Sequence, residues 1–230
     1  MRRIGLLLLV AASLSMLAAV PALAGPIGIH PGVKVGVAVA NFDENVSSAE
    51  DLQSQSKMTF GGTMRLDVGR LFSIQPELQY MPDGGQGTFV VDNGGTPTTV
   101  DGVLKMDYLE FPVLAKFRFP GAGALMPNIY LGPSAALNLT SKLSGDLSAI
   151  GGTTNDEADV KDEVQKLLFG GAVGGGFDMR TGKGILSLDA RYSRSLSDIF
   201  KGATSGGSAS VFGAADSKTS TMTVTLGYAF

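Results

Sequence analysis

Eleven charged residues lie within segments of the sequence that are otherwise apolar or small, and their side chains are the ones most able to do chemistry. Six are basic and five are acidic: Lys34, Arg65, Asp67, Glu77, Glu110, Lys116, Arg118, Asp178, Arg180, Asp189 and Arg191. In each segment the charged residues fall on the face of an extended strand opposite to the large apolar residues. Opposite charges gathered on one face have two possible uses: they pair and close an interior, or they line a path for ions.

The near balance of charge favours pairing over an ion path. An unpaired charge in a narrow interior is costly, so each cation there needs an anion close to it. We expect each of four cations to lie near one of four anions across neighbouring strands: Arg65, Lys116, Arg118 and Arg191 near Asp67, Glu77, Glu110 or Asp189. Removing one carboxylate, for example that of Glu110, should then leave a partner unpaired.

An enzymatic site is a second class of function, and the sequence offers few residues for it. The chain has one histidine, His30, and no cysteine. His30 precedes the first predicted strand, and we interpret it as a solvated residue of the N-terminal segment. Serine and aspartate are plentiful, but they lack the base that would activate a nucleophile. We therefore predict no catalytic residues and keep a barrel enzyme as the least favoured alternative.

The sequence also predicts no metal site and no cofactor. An acidic cluster stands in one of the predicted loops: Asp156, Glu157, Asp159, Asp162 and Glu163. Its spacing lacks the Asp-x-Asp-x-Asp-Gly pattern of a calcium-binding loop, so we interpret it as a solvated loop. The glycines around Gly174 lack the strand–turn–helix context of a phosphate loop. We interpret them as strand glycines that leave space for bulky interior side chains.

The N-terminus predicts export from the cytoplasm. Arg2 and Arg3 precede an apolar run at residues 4–20, and a small-x-small cleavage pattern follows at residues 22–24. We predict a cleaved secretory signal peptide over residues 1–24 and a single outer-membrane β-barrel domain over residues 25–230. Without Arg2 and Arg3 the chain has 16 basic and 21 acidic residues, a net charge of −5. That charge argues against a nucleic-acid partner.

Eight segments with alternating apolar residues predict the elements that hold the charged side chains. They cover residues 32–42, 58–68, 71–81, 104–119, 128–140, 164–180, 184–195 and 221–230. The last segment, TMTVTLGYAF, alternates strictly and ends on an aromatic residue. Its apolar face carries Met222, Val224, Leu226, Tyr228 and Phe230.

The connections between these strands alternate in length. The long ones are residues 43–57, 82–103, 142–163 and 196–220, and the short ones are residues 69–70, 120–127 and 181–183. This alternation is typical of an outer-membrane barrel, which has short periplasmic turns and long outer loops. We predict an all-β fold: an eight-stranded antiparallel transmembrane β-barrel with an up-and-down meander.

The barrel model assigns a side of the membrane to each connection. Both termini should be periplasmic, with Lys183 in a periplasmic turn. The regions around Asn45, Asn93, Asn155 and Ser208 should lie outside. The apolar faces should meet lipid, because a Lys or Arg on the lipid face at mid-membrane costs about 2–4 kcal/mol.

Three prolines interrupt the predicted strands: Pro76, Pro112 and Pro133. Proline cannot donate a hydrogen bond to a strand ladder, so each is a candidate position for a bulge that reverses the facing of the residues beyond it. Without such a reversal, Asn138 and Thr140 share the polar face of the fifth strand.

Several segments resemble, in order, those of the PorT-like small outer-membrane barrels. The segment YLEFPVLAKF at residues 108–117 resembles the fourth-strand pattern of that family, and YLGP at 130–133 resembles the strand that follows. The series continues with GVKVG at 32–36, PELQY at 76–80, ARY at 190–192 and LGYAF at 226–230. The resemblance implies an eight-stranded barrel in the outer membrane of a Gram-negative bacterium. It implies no activity, and no motif here matches the secretion role attached to the family's name.

The expected function is a structural, adhesive or surface-interaction role carried by four long extracellular loops around a salt-bridged, closed lumen. The alternative is a narrow passive pore for ions or small solutes. The expected partners are outer-membrane lipid and, during biogenesis, the outer-membrane assembly machinery. The resemblance implies that this machinery reads the last strand: Val224, Leu226, Tyr228 and Phe230. No surface ligand is named by the sequence.

Overall fold

All the long elements of the described chain are β-strands. A computed structural model describes residues 28–42, 53–54, 56–93, 96–121, 123–146, 154–159, 164–197 and 218–230. The strands are β1 (Gly28–Phe42), β2 (Gln53–Ser54), β3 (Ser56–Val68), β4 (Phe72–Asn93), β5 (Thr96–Arg118), β6 (Leu125–Asp146), β7 (Thr154–Asp159), β8 (Leu167–Thr181), β9 (Gly184–Ser195) and β10 (Thr219–Ala229). Within these ranges no helix is long and apolar enough to cross a membrane. The predicted signal peptide lies outside the described residues.

Eight of the strands close into an antiparallel barrel. Around the barrel the order is β4, β3, β1, β10, β9, β8, β6 and β5, and a further ladder between β5 and β4 closes the ring. The first and last strands therefore lie side by side, with Val35 opposite Leu226. The short strand β2 pairs with β4 and the short strand β7 pairs with β6, and neither is part of the closed ring. This arrangement confirms the prediction of an eight-stranded meander.

The two faces of the barrel wall differ in polarity. On β1, Val33, Val35 and Val37 are about half exposed on the outer surface, whereas Lys34 is only 5% exposed and points inward. The same alternation recurs on the other barrel strands, which place valine, leucine and phenylalanine outside and polar side chains inside. A polar interior within an apolar outer surface is the reverse of a soluble barrel and is typical of a membrane-spanning one.

The two ends of the barrel also differ. We call one the turn end: it holds the three short connections at residues 69–71, 119–124 and 182–183, together with Gly28 and Phe230. Gly69 takes a φ of 75° in the first of these turns, a conformation that glycine adopts without steric cost. We call the opposite end the hairpin end, because strands β4 and β5 run on together there.

The prediction of a loop at residues 82–103 is wrong, because most of this segment belongs to strands β4 and β5. The ladder between β4 and β5 continues from Pro82 opposite Asp107 to Asn93 opposite Thr96. Four valines, four threonines and one phenylalanine in this stretch favour extended structure, although it also contains six glycines. At the same end β7 pairs with β6, so part of the predicted acidic loop is also strand. A strand of 22 residues is about twice what a membrane crossing needs, so the hairpin projects beyond the barrel.

The prolines do not reverse the facing of their strands. Gln75 and Glu77 are both buried on either side of Pro76, and Glu110 and Leu114 are both buried around Pro112. The register shifts instead between β5 and β6, at Asp107 and Tyr108, and again between β6 and the short strand β7, at Gly145 and Asp146.

The shift between β5 and β6 corrects the facing predicted for the end of the fifth strand. Asn138 and Ser141 are both buried, and Leu139 between them faces outward. Thr140 is therefore not the next interior residue, as the uninterrupted alternation predicted. Ser141 takes that place and donates a hydrogen bond to Asn138 Oδ1 at 3.1 Å.

Candidate functional site: the barrel interior

Nine charged side chains form one continuous chain of alternating sign across the barrel interior. Each is placed there because it occupies an inward position of an alternating strand. We call this group the ion-pair chain, and its order is Arg191, Glu77, Lys34, Asp189, Lys116, Asp178, Arg65, Asp67 and Arg118.

The half of the ion-pair chain nearer the hairpin end centres on Glu77 and Lys34. Lys34 Nζ donates to Glu77 Oε1 at 2.8 Å and to Asp189 Oδ2 at 3.0 Å. Arg191 Nη2 donates to the second oxygen of Glu77. The Glu77 side chain is only 1% exposed, so its charge is neutralised by these two cations rather than by water.

The other half runs toward the turn end through Lys116 and Arg65. Lys116 Nζ lies 3.3 Å from Asp189 Oδ1 and 2.9 Å from Asp178 Oδ1. Arg65 continues the chain, with Nη1 2.9 Å from Asp178 Oδ2 and Nε 2.8 Å from Asp67 Oδ1. Arg118 ends it with Nη2 at 2.9 Å from Asp67 Oδ1. Except for Arg65 and Asp67, which both lie on β3, successive partners come from different strands, so the chain ties opposite walls of the barrel together.

Tyr130 supports the ion-pair chain at its centre and was missed by the sequence analysis. Its ring lies 5.7 Å from Lys116 Nζ and 5.8 Å from the guanidinium carbon of Arg191, distances typical of cation–π contacts. Gly174 is paired with Tyr130, and a Cβ there would lie 2.6 Å from the tyrosine hydroxyl. The glycines around Gly174 thus leave space for the Tyr130 ring inside the barrel. These glycines are visible in the sequence, but their relation to Tyr130 follows only from the pairing of β6 with β8.

Three amide side chains also bond to the ion-pair chain and were not predicted. Gln75 Nε2 donates to Glu77 Oε1 at 2.6 Å, and Asn128 Nδ2 donates to Asp178 Oδ1 at 3.2 Å. Gln79 Oε1 accepts from Arg191 Nη1 at 3.0 Å. All three occupy inward positions next to a charged residue. This position on the polar face of a strand is the feature of the sequence that would have predicted their contacts. A few buried cation donors lack a described partner, namely Arg65 Nη2, Arg118 Nε and Arg191 Nε.

Two of the predicted interior charges stand outside the ion-pair chain. Arg180 is exposed at the turn end of β8, because its strand reaches the rim there. Glu110 is buried, with Ser134 and Ser193 beside its carboxylate. In the described residues Glu110 makes no ion pair within 4.0 Å, and its Oε2 has no hydrogen-bond partner. Each of the four expected cations lies near one of the expected anions, but that anion is Asp67, Glu77 or Asp189 and not Glu110.

A cavity of about 60 Å³ lies beside Glu110, in the half of the interior nearer the hairpin end. Its walls combine acidic, hydroxyl and apolar side chains, among them Met81, Asp83, Tyr108, Glu110, Leu168 and Ser193. The described residues contain no group of three histidine, cysteine, aspartate or glutamate side chains that could hold a metal ion.

The sequence analysis placed His30 before the first strand, and this prediction is wrong because His30 lies in β1. Pairing with β3 extends the strand back to Gly28, whereas the ladder with β10 begins at Gly32. His30 Nδ1 lies 3.0 Å from the main-chain oxygen of Phe230, and Nε2 lies 3.7 Å from Asp67 Oδ2. The one histidine is therefore at the turn end, whereas the cavity is in the other half of the barrel.

The residues of the predicted assembly strand face outward from β10 and its end. Val224, Leu226 and Phe230 are each at least half exposed. The rings of Tyr228 and Phe230 pack edge to face with centroids 5.1 Å apart. The inward residues between them are small, such as Thr223 and Thr225, and both are buried.

Comparison with known proteins agrees with this architecture. A family model described as outer membrane protein beta-barrel domain matches residues 19–201. Comparison with curated proteins finds no match.

Three solved structures are similar to this chain at low sequence identity. OprG from Pseudomonas aeruginosa is 16% identical, with 90% of this chain and 98% of that chain covered and a TM-score of 0.47. Neisserial surface protein A is 13% identical, with coverages of 90% and 100% and a TM-score of 0.43. Ail of Yersinia pestis, in complex with the heparin analogue sucrose octasulfate, is 15% identical, with coverages of 88% and 99% and a TM-score of 0.39.

Proposed function

Because the chain belongs to the family of outer membrane protein beta-barrel domains, we propose that this transmembrane barrel has a closed interior and acts through its hairpin end. In this proposal the barrel anchors surface segments that serve a structural, adhesive or interaction role. The observation that carries the closed interior is the ion-pair chain, whose nine side chains cross the lumen between opposite walls.

Physical size supports a closed lumen. The interior of an eight-stranded barrel is just wide enough for side chains to fill it. Here Lys34, Lys116 and Asp189 occupy its centre, and each side chain is no more than 3% exposed. An ion crossing the barrel would have to separate several buried pairs, each of which is costly to break.

The alternative of a narrow pore is favoured by one observation, the cavity beside Glu110. This cavity occupies the interior near the hairpin end, but the ion-pair chain lies between it and the turn end. We therefore rank the passive pore second. An enzymatic role ranks third, because His30 lies at the end opposite the cavity and the chain has no cysteine. The narrower assignment to PorT-like barrels remains a prediction.

Conductance across planar lipid bilayers tests the closed interior. We expect the purified wild-type barrel to show no steady current, because the ion-pair chain closes the lumen. Glu77→Gln removes the carboxylate shared by two cations and should produce a small leak. Arg180→Gln is the matched control, since Arg180 is exposed and lies outside the chain. A large, stable, ion-selective current in the wild type would overturn the closed lumen and promote the pore.

The proposal includes two kinds of partner. Outer-membrane lipid should contact the apolar outer surface, on which residues such as Val35, Phe60 and Leu226 are exposed. The assembly machinery should engage β10 during biogenesis, since its outward face ends on the exposed Phe230. Cleavage of residues 1–24 during export is part of the same proposal.

A further inference from the structure

The cavity beside Glu110 combines features that the ion-pair chain does not use. It is lined by inward residues of β4, β5, β6, β8, β9 and β10, so it lies inside the barrel rather than on its surface. A volume of about 60 Å³ exceeds the roughly 10–15 Å³ that one water needs. The space therefore accommodates a few waters or one small molecule.

Two buried oxygen atoms in this cavity lack partners. Glu110 Oε2 and Ser193 Oγ have no hydrogen-bond partner in the described structure, although Glu110 is 6% and Ser193 9% exposed. Buried polar atoms in proteins are almost always hydrogen-bonded, and a buried carboxylate has the strongest need of a donor. The Ser134 and Ser193 hydroxyls lie beside the Glu110 carboxylate, but no cation lies within 4.0 Å of it in the described structure, and a cation in the cavity would supply that partner.

Arg191 is the cation nearest in effect to Glu110, but it makes no ion pair with it within 4.0 Å in the described structure, although Arg191 Nε has no hydrogen-bond partner. Both Nη atoms of Arg191 already donate, to Gln79 and to Glu77. The other carboxylate of the cavity, Asp83, accepts from the Gly84 amide at 2.6 Å and from the Thr219 hydroxyl at 3.2 Å. Glu110 is thus the open anionic group of the cavity.

The shape of the cavity argues against a metal ion held by several carboxylates. Asp83 pairs with Met106, four residues before Glu110 on β5, which places the backbone positions of the two acidic residues about 13 Å apart along the strand. The wall also has an apolar side, formed by Met81, Ala136 and Leu168. With a hydrated metal ion in the cavity, these apolar side chains would contact water, whereas an alkyl group would pack against them.

From this geometry we propose that the interior cavity binds a small alkylammonium cation, with its ammonium group on Glu110 and Ser193 and its alkyl part against Met81 and Leu168. An ammonium group supplies three donors, enough for the carboxylate oxygen and the serine oxygen together. The ligand reaches the cavity from the hairpin end, because the ion-pair chain lies between the cavity and the turn end.

Ethylammonium, with ethanol as a neutral analogue and sodium as a cation without an alkyl group, is the probe set that tests this site. Each would be titrated into the ¹⁵N-labelled barrel in micelles of a neutral detergent, following the amide resonances of Ala136 and Leu168. We expect saturable shifts with ethylammonium and much weaker responses with the other two. Equal responses to sodium or ethanol, or no saturation with ethylammonium, would overturn the proposal and leave a cavity that holds water.

Three variants locate the effect within the barrel. Glu110→Gln keeps the shape but removes the charge, and it should weaken ethylammonium binding about 10- to 100-fold. Asp107→Asn is the matched control on the same strand, because Asp107 is not among the cavity residues and should leave binding unchanged. An equal loss in Asp107→Asn would mean a general charge effect and would overturn the site.

Ala136→Leu tests the site without altering its charge. Ala136 pairs with both Glu110 and Leu168 and lines the cavity, so a larger side chain there fills the space. Binding should be lost although Glu110 is intact. If Glu110→Gln fails to fold, Ala136→Leu still tests whether ethylammonium binds in this cavity. Undiminished binding in a folded Ala136→Leu barrel would place the ligand elsewhere and overturn the proposal.

Discussion

Glu77 is the carboxylate on which two interior cations depend. Lys34 Nζ lies 2.8 Å from one of its oxygens, and Arg191 bonds the other. Glu110 lies on the neighbouring strand, also buried, but outside the ion-pair chain. The two residues therefore offer a comparison in which the same chemical change, Glu to Gln, has different structural consequences.

We predict that Glu77→Gln lowers the free energy of unfolding of the barrel by about 3–5 kcal/mol, because it leaves buried cations without their anion. Glu110→Gln should cost only about 1 kcal/mol, since no cation depends on that carboxylate for an ion pair. Urea unfolding of the two variants and the wild type in the same lipid vesicles measures both values. Equal losses would show that Glu110 belongs to the paired set after all.

At the scale of single elements, β10 closes the barrel and ends on an outward aromatic residue. It pairs with β1 on one side and β9 on the other, so the ring is incomplete until this strand is in place. Phe230 is 63% exposed at the turn end, where aromatic side chains of membrane barrels meet the lipid boundary. Phe119 is a similar exposed aromatic at the same end but belongs to a different part of the chain.

We predict that Phe230→Asp reduces the amount of barrel in the outer membrane severalfold. The charge would disrupt the outward face of the last strand and, under our proposal, its recognition by the assembly machinery. Phe119→Asp is the matched control, with the same chemical change at the same end, and it should reduce the amount less. Quantifying the protein in isolated outer membranes gives the comparison. Normal levels of Phe230→Asp would contradict an assembly role for the terminal residue.

At the scale of the whole molecule, the two ends of the barrel predict an orientation in the membrane. The short turns and both described chain ends lie at the turn end, and the long hairpin of β4 and β5 lies at the other. Outer-membrane barrels have short periplasmic turns, so we propose that the turn end faces the periplasm. Asn93 and Asn155 mark the hairpin end, and Lys183 marks the turn end. Asn45 and Ser208, also predicted to be outside, lie beyond the described residues.

Cysteine substitution tests this orientation, since the natural chain has no cysteine. We predict that Asn93→Cys and Asn155→Cys react with a membrane-impermeant maleimide on whole cells, whereas Lys183→Cys reacts only after the cells are lysed. Lysed cells provide the control that all three positions are reactive. Labelling of Lys183→Cys alone on whole cells would reverse the orientation.

The strands and the polarity of their faces could be predicted from the sequence because both follow from local alternation. A side chain two positions along a strand returns to the same face, and a charge facing lipid is costly. Lys34 and Arg191 could therefore be assigned to the interior before any contact was known. Residues 184–195 were predicted with the bounds that the structure has for β9.

Other features depended on contacts between strands that are distant in the sequence. Lys34 on β1 meets Asp189 on β9 although β10 lies between their strands, because the partner of a side chain depends on the stagger of strands around the ring. The bulge opposite Asp107, the extension of β4 and β5 into one hairpin, and the space that Gly174 leaves for Tyr130 depend on pairing in the same way. Alternation thus determined which residues face inward, and tertiary structure alone decided which of them pair and why Glu110 faces a cavity instead.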